Sequence, residues 1–242
     1  MIDEQTAGNA EIGTGFDSVR DKVLDAALLH VVFDGWSEAT LKAAIADAGV
    51  EPALARAIFP RGGVDLALAY HDRGDGKMLE RLAETDLSDL KFRERIAAAV
   101  RFRLEAVEDR DLVRRGMTLF ALPLYAGDGA KAVWQTCDRI WSALGDTSED
   151  VNWYTKRATL SAVYSSTLLF WLGDDSDGSE ATWAFLDRRI ENVMQFETVK
   201  AKVNGNPLLK PFLALPNRIL GQVRAPSAGG GSLFPGRVSG RH

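Results

Sequence analysis

Residues 35–70 read GWSEATLKAAIADAGVEPALARAIFPRGGVDLALAY, a stretch that predicts successive helices joined by tight turns. Ser37 is a favourable N-cap for a helix whose apolar side chains recur three and four positions apart, and Gly49 suits the end of that helix. Pro52 fits the first turn of the next helix, which should end near Phe59-Pro60. A short turn lets two such helices cross and presents the second one at the surface, as in a helix-turn-helix.

Helical periodicity continues on both sides of this stretch, from Asp17 to about Val203. We find no sustained alternation of the kind that predicts a strand, and no internal repeat. A kink or break is expected at Gly74-Asp75-Gly76, because each glycine costs about 1 kcal/mol inside a helix. The sequence therefore predicts an all-α fold.

The quoted stretch resembles the N-terminal helix-turn-helix of the TetR regulator family. The matching features are the Gly-aromatic opening, Thr40 at the start of the second helix, the Ala48-Gly49-Val50 turn, Phe59-Pro60, and a helix after Gly63. The likeness covers about 50 residues. It implies a TetR-like helical bundle, with this helix-turn-helix at the N-terminus (residues 16–75) and a ligand-binding helical half after it (residues 76–203).

The chemistry of DNA recognition is missing from this stretch. A base-reading helix needs Arg, Lys, Asn or Gln side chains and basic surroundings. Residues 51–57 offer one cation, Arg56, and residues 1–75 hold 13 acidic against 6 basic side chains. We therefore expect no nucleic-acid partner. A DNA-binding transcriptional repressor that senses an apolar ligand is the alternative function.

The composition is that of a soluble globular protein: 242 residues, 46% hydrophobic, 26% charged, with a net charge of −5. The lone Cys137 excludes an intramolecular disulfide and is expected to be a buried core thiol. The longest uncharged run in the body, residues 158–173, has 16 residues, fewer than the roughly 20 that span a bilayer. Acidic residues precede the first basic one, Arg20, which argues against a targeting peptide and favours a bacterial cytoplasm.

The C-terminal part differs in charge from the rest. Residues 198–242 contain seven Lys/Arg and no Asp/Glu, whereas the preceding 197 residues contain 22 basic and 34 acidic side chains. We predict that residues 204–226 form a basic amphipathic segment that contacts the membrane surface, and that residues 1–15 and 227–242 are disordered. The membrane-contact residues are Leu208, Leu209, Lys210, Phe212, Leu213, Arg218, Ile219, Leu220, Val223 and Arg224.

Residues for catalysis are scarce. The three histidines have no partner at zinc-ligand spacing, and neither a cysteine cluster nor a glycine-rich phosphate loop is present. We expect no metal, no cofactor and no enzymatic activity.

The second half resembles the Coq-nine family of ubiquinone-biosynthesis accessory proteins, from mitochondria and from bacteria. Three segments carry the likeness: SEDVNWYTKRA at 148–158, VYSST at 163–167, and the spaced motif TWxFLxRRI at 182–190. The resemblance runs from about Val19 to about Val203. It implies a TetR-like fold repurposed for lipid. The chain departs from the family at Gly74–Gly76 and in its Pro-rich C-terminal segment.

The resemblance implies an apolar cavity for an isoprenoid quinone or a phospholipid. Apolar stripes at helical spacing are otherwise plain core, and the residues alone leave both readings open. The lipid-binding candidates are Leu104, Met117, Phe120, Leu124, Val133, Trp134, Leu160, Val163, Tyr164, Leu168, Trp183, Leu186 and Ile190.

The resemblance also implies a surface that binds demethoxyubiquinone hydroxylase, to which the protein would present quinone intermediates at the inner membrane of a bacterium. Trp153 and Tyr154 lie about 100° apart on a helix, so both cannot face one narrow core stripe and one or both should be exposed. Burial of Trp153 with Tyr154 half-buried is the alternative. The candidates are Asp138, Ile140, Trp141, Asp150, Trp153, Tyr154 and Arg157. TetR-like proteins commonly dimerise through their last two long helices, so we also expect a homodimer.

Overall fold

The computed structural model describes residues 2–205 and gives side-chain contacts for residues 15–195. These residues form helices with no strand among them, so the predicted all-α class is confirmed. The helices are α1 (Ile2–Asp34), α2 (Glu38–Ala48), α3 (Pro52–Ile58), α4 (Gly63–Glu84), α5 (Phe92–Glu105), α6 (Arg110–Phe120), α7 (Ala126–Ala143), α8 (Val151–Leu172) and α9 (Glu180–Gly205), with a short 3-10 turn (Asp177–Ser179) before α9.

The boundaries of α2 and α3 follow from local capping. The Ser37 hydroxyl accepts the backbone N–H of Thr40 at 3.2 Å, which satisfies one of the free donors of the first turn of α2. Gly49 ends α2 in the left-handed region, with φ of 59°. Glu51 caps α3 with its carboxylate, and Pro52 occupies the first position of that helix. The helix ends predicted for this stretch are confirmed.

The chain divides into two compact units. Among the described residues, the first unit runs through Thr85 and includes Phe102–Ala132, and the second comprises Asp86–Arg101 and the residues from Val133 onward. The division falls within α5 and α7. The predicted boundary between residues 75 and 76 does not coincide with it, because α4 continues through that point.

The core of the first unit surrounds Trp36, at the turn between α1 and α2. Its indole N–H donates to the Leu112 carbonyl at 3.0 Å, and its ring lies 5.4 Å from that of Tyr70. At Gly63, a Cβ would stand 2.4 Å from the Trp36 backbone, so only glycine lets α4 begin so close to this turn. The Gly-aromatic opening and the first residue of α4 are therefore in close contact.

Helix α4 is continuous, so the break predicted at Gly74–Gly76 is wrong. Asp75 is fully buried and accepts a hydrogen bond from Arg103 Nε at 2.6 Å, while Arg103 Nη2 donates to the His71 carbonyl at 3.0 Å. A Cβ on Gly74 would lie 2.6 Å from Arg103 Nη1. The glycine makes room for this guanidinium, and the buried ion pair offsets its low helix propensity.

Helix α1 begins at Ile2, so the prediction that the residues before 16 are disordered is wrong for residues 2–15. A helix that is already packed extends at little cost, because nucleation is the expensive step. The predicted membrane-contact residues and the tail 227–242 lie outside the described residues. Every helix within residues 2–205 is too short or too polar to span a bilayer.

Candidate functional site

The second unit contains a cavity of about 530 Å³, within the range of small-molecule binding sites. Exposed side chains contribute to its wall, so it opens to solvent. Its lining comes from α5 and the residue before it, α7, α8 and α9: Lys91, Phe92, Arg93, Ile96, Trp141, Asn152, Thr155, Lys156, Thr159, Leu160, Val163, Ile190, Val193 and Met194.

Helical spacing explains which side chains reach this cavity. Helix α8 contributes positions 152, 155, 156, 159, 160 and 163, which form one stripe because three- and four-residue steps return to the same face. Phe92 and Ile96 are one turn apart on α5, and Ile190 and Val193 are one turn apart on α9. Helices α5, α8 and α9 therefore each give one stripe to the wall, and α7 gives Trp141 alone.

Most of the cavity wall is apolar, and all of its charged residues are basic. Lys91, Arg93 and Lys156 are the charged residues of the wall, and no Asp or Glu is among the lining residues. Asn152, Thr155 and Thr159 add neutral hydrogen-bonding groups. Such a wall can hold an aliphatic chain and meet a polar headgroup.

The structure brings three predicted lipid-binding residues to this cavity: Leu160, Val163 and Ile190. Leu104, Met117, Phe120 and Leu124 belong to the first unit instead. There, Leu104 is buried, Phe120 packs on the core around Trp36, and Leu124 is 78% exposed in the α6–α7 connection. The remaining candidates lie in the second unit but not on the wall: Val133, Trp134, Tyr164, Leu168, Trp183 and Leu186.

Four residues that line the cavity were not predicted to bind lipid from the sequence: Phe92, Ile96, Val193 and Met194. The signal was present, because Phe92 and Ile96 share one apolar stripe and Val193 continues that of Ile190. A periodic pattern gives the face of a helix, but it does not say which face borders a gap.

Three aromatic side chains, Trp134, Trp153 and Tyr154, form a cluster that we call the aromatic patch. The Trp153 and Tyr154 rings meet edge to face at 4.8 Å, and Trp134 lies 5.9 Å from Trp153 and 6.4 Å from Tyr154. All three are half-buried, so neither Trp153 nor Tyr154 is fully exposed. Trp134, selected as a lipid-binding residue, lies in this patch instead.

Arg157 lies beneath the aromatic patch. Its side chain is 2% exposed, and its guanidinium carbon stands 4.0 Å from the centre of the Trp153 ring. Nε donates to Asp138 at 2.5 Å, and Nη1 donates to Asp146 at 2.9 Å and to the Trp153 carbonyl at 3.1 Å. Arg157 therefore holds Trp153 in place and is not itself available to a partner.

Other predicted partner-binding residues also have structural positions. Ile140 is fully buried, and Trp141 is buried and lines the cavity. The Asp150 carboxylate caps α8 by accepting the Asn152 N–H at 2.9 Å. Of the predicted set, Asp138, Asp150, Trp153 and Tyr154 keep accessible surface.

Asp146 connects the cavity wall to the aromatic patch. It accepts hydrogen bonds from Lys156 Nζ at 2.7 Å, Ser148 Oγ at 2.8 Å and Arg157 Nη1 at 2.9 Å. Burial by itself raises the pKa of Asp146, but these three hydrogen bonds outweigh it and hold the pKa well below its usual range. Lys156 also lies over the Trp141 ring, with Nζ 5.1 Å from the ring centre.

Two exposed cations of the helix-turn-helix, Arg56 and Arg61, are already paired. Arg56 donates to Glu38 at 3.0 Å. Arg61 binds both Asp65 and Asp128 at 3.0 Å. A DNA phosphate would have to displace these carboxylates.

Metal ligands are not clustered in the part of the chain that the structure describes, where no three His, Cys, Asp or Glu side chains are placed to hold an ion. His30 lies at the boundary of the core, with Nε2 2.7 Å from Asp47. Cys137 is a buried thiol that forms no disulfide, which confirms the prediction for it.

Comparison with known proteins gives a match between residues 126–197 and the family described as COQ9. The ubiquinone biosynthesis protein COQ9 of Drosophila melanogaster is 31% identical over 194 residues, which are 78% of this chain and 59% of that protein. The probable coq9 protein of Dictyostelium discoideum is 28% identical, over 75% of this chain and 61% of its own length. The human COQ9 protein is 26% identical, over 81% of this chain and 65% of its own length. The chain thus spans about 60% of the length of the first two relatives.

Among solved structures, a TetR transcriptional regulator from Nitrosomonas europaea superposes with a TM-score of 0.57 at 24% identity, covering 71% of this chain and 95% of that one. This likeness confirms the predicted TetR-like fold. The 126–197 match includes the aromatic patch, Asp146 and the cavity residues of α7 and α8.

Proposed function

We propose that this chain, which belongs to the COQ9 family, serves ubiquinone biosynthesis as an accessory protein that holds a hydrophobic lipid. The lipid is an isoprenoid quinone intermediate or a phospholipid, bound in the cavity of the second unit, and the quinone is presented to demethoxyubiquinone hydroxylase. The observation that carries the proposal is the apolar cavity of about 530 Å³, joined to the aromatic patch through Asp146. In this role the chain performs no covalent chemistry.

The apolar wall supports binding of a lipid chain. Each methylene transferred from water to such a wall contributes roughly 0.8 kcal/mol, so affinity grows with the length of chain inserted. Leu160, Val163 and Ile190 are already buried, and Phe92 and Met194 at the opening would lose exposed surface when a chain enters.

The aromatic patch supports docking of the hydroxylase. Trp and Tyr are enriched among the residues that dominate binding energy at protein interfaces. Mutual ring contacts, and Arg157 beneath Trp153, fix the patch before a partner arrives, which lowers the entropy lost on binding. Asp138 and Asp150 add acidic groups with accessible surface.

The basic C-terminal segment supports a peripheral position on the cytoplasmic face of a bacterial inner membrane. Residues 198–226 carry five cations and no anion. Each Lys or Arg near an anionic leaflet contributes about 1 kcal/mol. Full-length protein should pellet with anionic liposomes, and a truncation after Lys202 should not. Equal pelleting would remove this segment from the mechanism.

The central test combines lipid analysis with capture of the hydroxylase. Mass spectrometry of lipids extracted from the purified protein should find an isoprenoid quinone or a phospholipid. Trp153→Ala and Tyr154→Ala should each abolish capture of the hydroxylase without changing helical content by circular dichroism. Phe16→Ala, which removes an exposed aromatic side chain from α1, is the matched control and should capture normally. Undiminished capture by both patch variants would refute the docking surface.

A further inference from the structure

The charges of the cavity wall have one sign. Lys91 and Arg93 flank the start of α5 on the sequence, both are exposed, and both line the cavity. Lys156 lines it as well, but its ammonium is bound by Asp146 at 2.7 Å. Binding of an aliphatic chain requires no cations. The positive charges of Lys91 and Arg93 therefore point to a ligand that also carries negative charge.

The segment before α5 is fixed in position. Arg95 donates to the Leu90 carbonyl and to the Ser88 carbonyl, each at 3.0 Å. The Lys91 N–H donates to the Glu94 carboxylate at 2.9 Å, which caps the helix. The same carboxylate lies 3.8 Å from Arg93 Nε. Both side chains are exposed, and exposed ion pairs of this kind contribute little to stability. These hydrogen bonds therefore hold the backbone that positions Lys91 and Arg93 at the cavity.

We infer that the cavity selects an anionic phospholipid from the membrane, with Lys91 and Arg93 binding the headgroup phosphate and an acyl chain lying along Ile96, Leu160 and Val163. Arg forms paired hydrogen bonds with phosphate, and Lys adds a point charge. The inference rests on the proposed lipid-binding function and names the lipid class.

Charge complementarity argues against the other available occupant, the chain's own C-terminal segment. Residues 198–226 are apolar enough to enter a cavity, but their five cations and lack of anions would be repelled by Lys91 and Arg93. An anionic lipid brings the opposite charge, and a membrane-bound protein meets such lipids at high local concentration.

The test uses the full chain and single-chain lipids below their micelle concentration, so that membrane binding does not contribute. Calorimetric titration with lysophosphatidylglycerol and with lysophosphatidylcholine of the same acyl chain should give about tenfold tighter binding of the anionic lipid. The Lys91→Ala/Arg93→Ala variant should lose this preference, because its affinity for lysophosphatidylglycerol should fall by more than its affinity for lysophosphatidylcholine, whose phosphate charge is balanced by the choline cation.

Two further variants separate the possible failures. Lys42→Ala/Arg188→Ala removes one exposed Lys and one exposed Arg away from the cavity and should keep the preference. Thr159→Trp fills the cavity from α8 and should weaken binding of both lipids.

If Thr159→Trp blocks binding but Lys91→Ala/Arg93→Ala keeps the preference, the headgroup assignment is wrong and the lipid-binding function stands. If Thr159→Trp leaves both affinities unchanged, the cavity is not the lipid site and both fail. A fatty acid of the same chain length that binds as tightly as lysophosphatidylglycerol would overturn the choice of phosphate.

Discussion

At the scale of single residues, Asp146 is the carboxylate that connects the cavity wall to the aromatic patch. Its side chain is 2% exposed and pairs with Arg157, whose side chain is equally buried, and with the more exposed Lys156. Removing one member of a buried charge cluster leaves the others without compensation in a poorly solvated site. The same carboxylate therefore supports the cavity wall through Lys156 and the underside of Trp153 through Arg157.

We predict that Asp146→Asn lowers the free energy of unfolding by about 1–3 kcal/mol at pH 7, because Arg157 keeps Asp138 but loses a charged partner. Urea unfolding followed by circular dichroism measures the change. Asp187→Asn, which neutralises an exposed carboxylate on α9, is the control and should stay within about 0.5 kcal/mol of the original protein. An equal effect of the two variants would contradict the role of Asp146.

The lowered pKa of Asp146 also predicts how stability depends on pH. Its folded-state pKa is held below the ordinary value of 3.8. The stabilisation from its ionised form is therefore fully present above that value and is lost as the pH falls towards the folded-state pKa. The stability difference between the original protein and Asp146→Asn should shrink when urea unfolding is repeated below about pH 4. A difference that is the same at pH 7 and pH 3 would exclude this linkage.

At the scale of helices, local signals in the sequence were sufficient where the cause is local. Ser37, Gly49 and Pro52 act within one turn of their own positions, and the predicted ends of α2 and α3 follow from them. Gly74 behaves differently, because its low helix propensity is offset by Arg103, 29 positions further along the chain. No local pattern contains that contact.

The cavity shows the same limit. Leu160, Val163 and Ile190 lie on apolar stripes and line the cavity. Leu104 and Phe120 also lie on apolar stripes, but Leu104 is buried in the first unit and Phe120 packs against the core of that unit. Packed interior and cavity wall use the same residue types, so composition and spacing do not separate them. Only tertiary packing decides which stripe borders a gap.

We predict opposite effects for two alanine substitutions two positions apart in α4. Gly74→Ala places a Cβ 2.6 Å from Arg103 Nη1 and should lower the free energy of unfolding by about 1–3 kcal/mol, because the guanidinium must move away from Asp75. Gly76→Ala meets no atom within 4 Å and should raise it by about 0.5–1 kcal/mol through better helix propensity. Urea unfolding of the two variants measures both. Stabilisation by both substitutions would show that the Arg103 contact is unimportant.

At the scale of the whole molecule, a TetR-like fold raises the question of DNA binding. Arg56 and Arg61 are both neutralised by carboxylates, and residues 1–75 carry 13 acidic against 6 basic side chains. We predict that the protein does not retain any member of a random duplex DNA library at about 0.15 M salt. With few cations available for DNA phosphates, binding at this salt concentration should be too weak to detect. Tight, sequence-selective retention would favour the transcriptional repressor instead.

The α8–α9 surface predicts the oligomeric state. Leu169 and Phe170 are 59% and 38% exposed, and Phe170 stacks on Phe185 of α9 with ring centres 4.6 Å apart. Clustered exposed apolar side chains mark interfaces, and burying them in a second copy would stabilise a homodimer through the last two long helices. Light scattering after gel filtration should give about twice the chain mass of 26.4 kDa.

Phe170→Asp places a charge in the middle of this proposed interface and should shift the protein to the monomer without loss of helical content, because burying an unpaired carboxylate costs several kcal/mol. Phe16→Asp puts the same charge at an exposed aromatic position on α1 and should leave the dimer intact. A monomeric original protein, or a Phe170→Asp variant that remains dimeric, would show that Leu169 and Phe170 serve another contact. Dissociation by both substitutions would instead implicate α1 in the assembly, which the exposed faces of α8 and α9 do not predict.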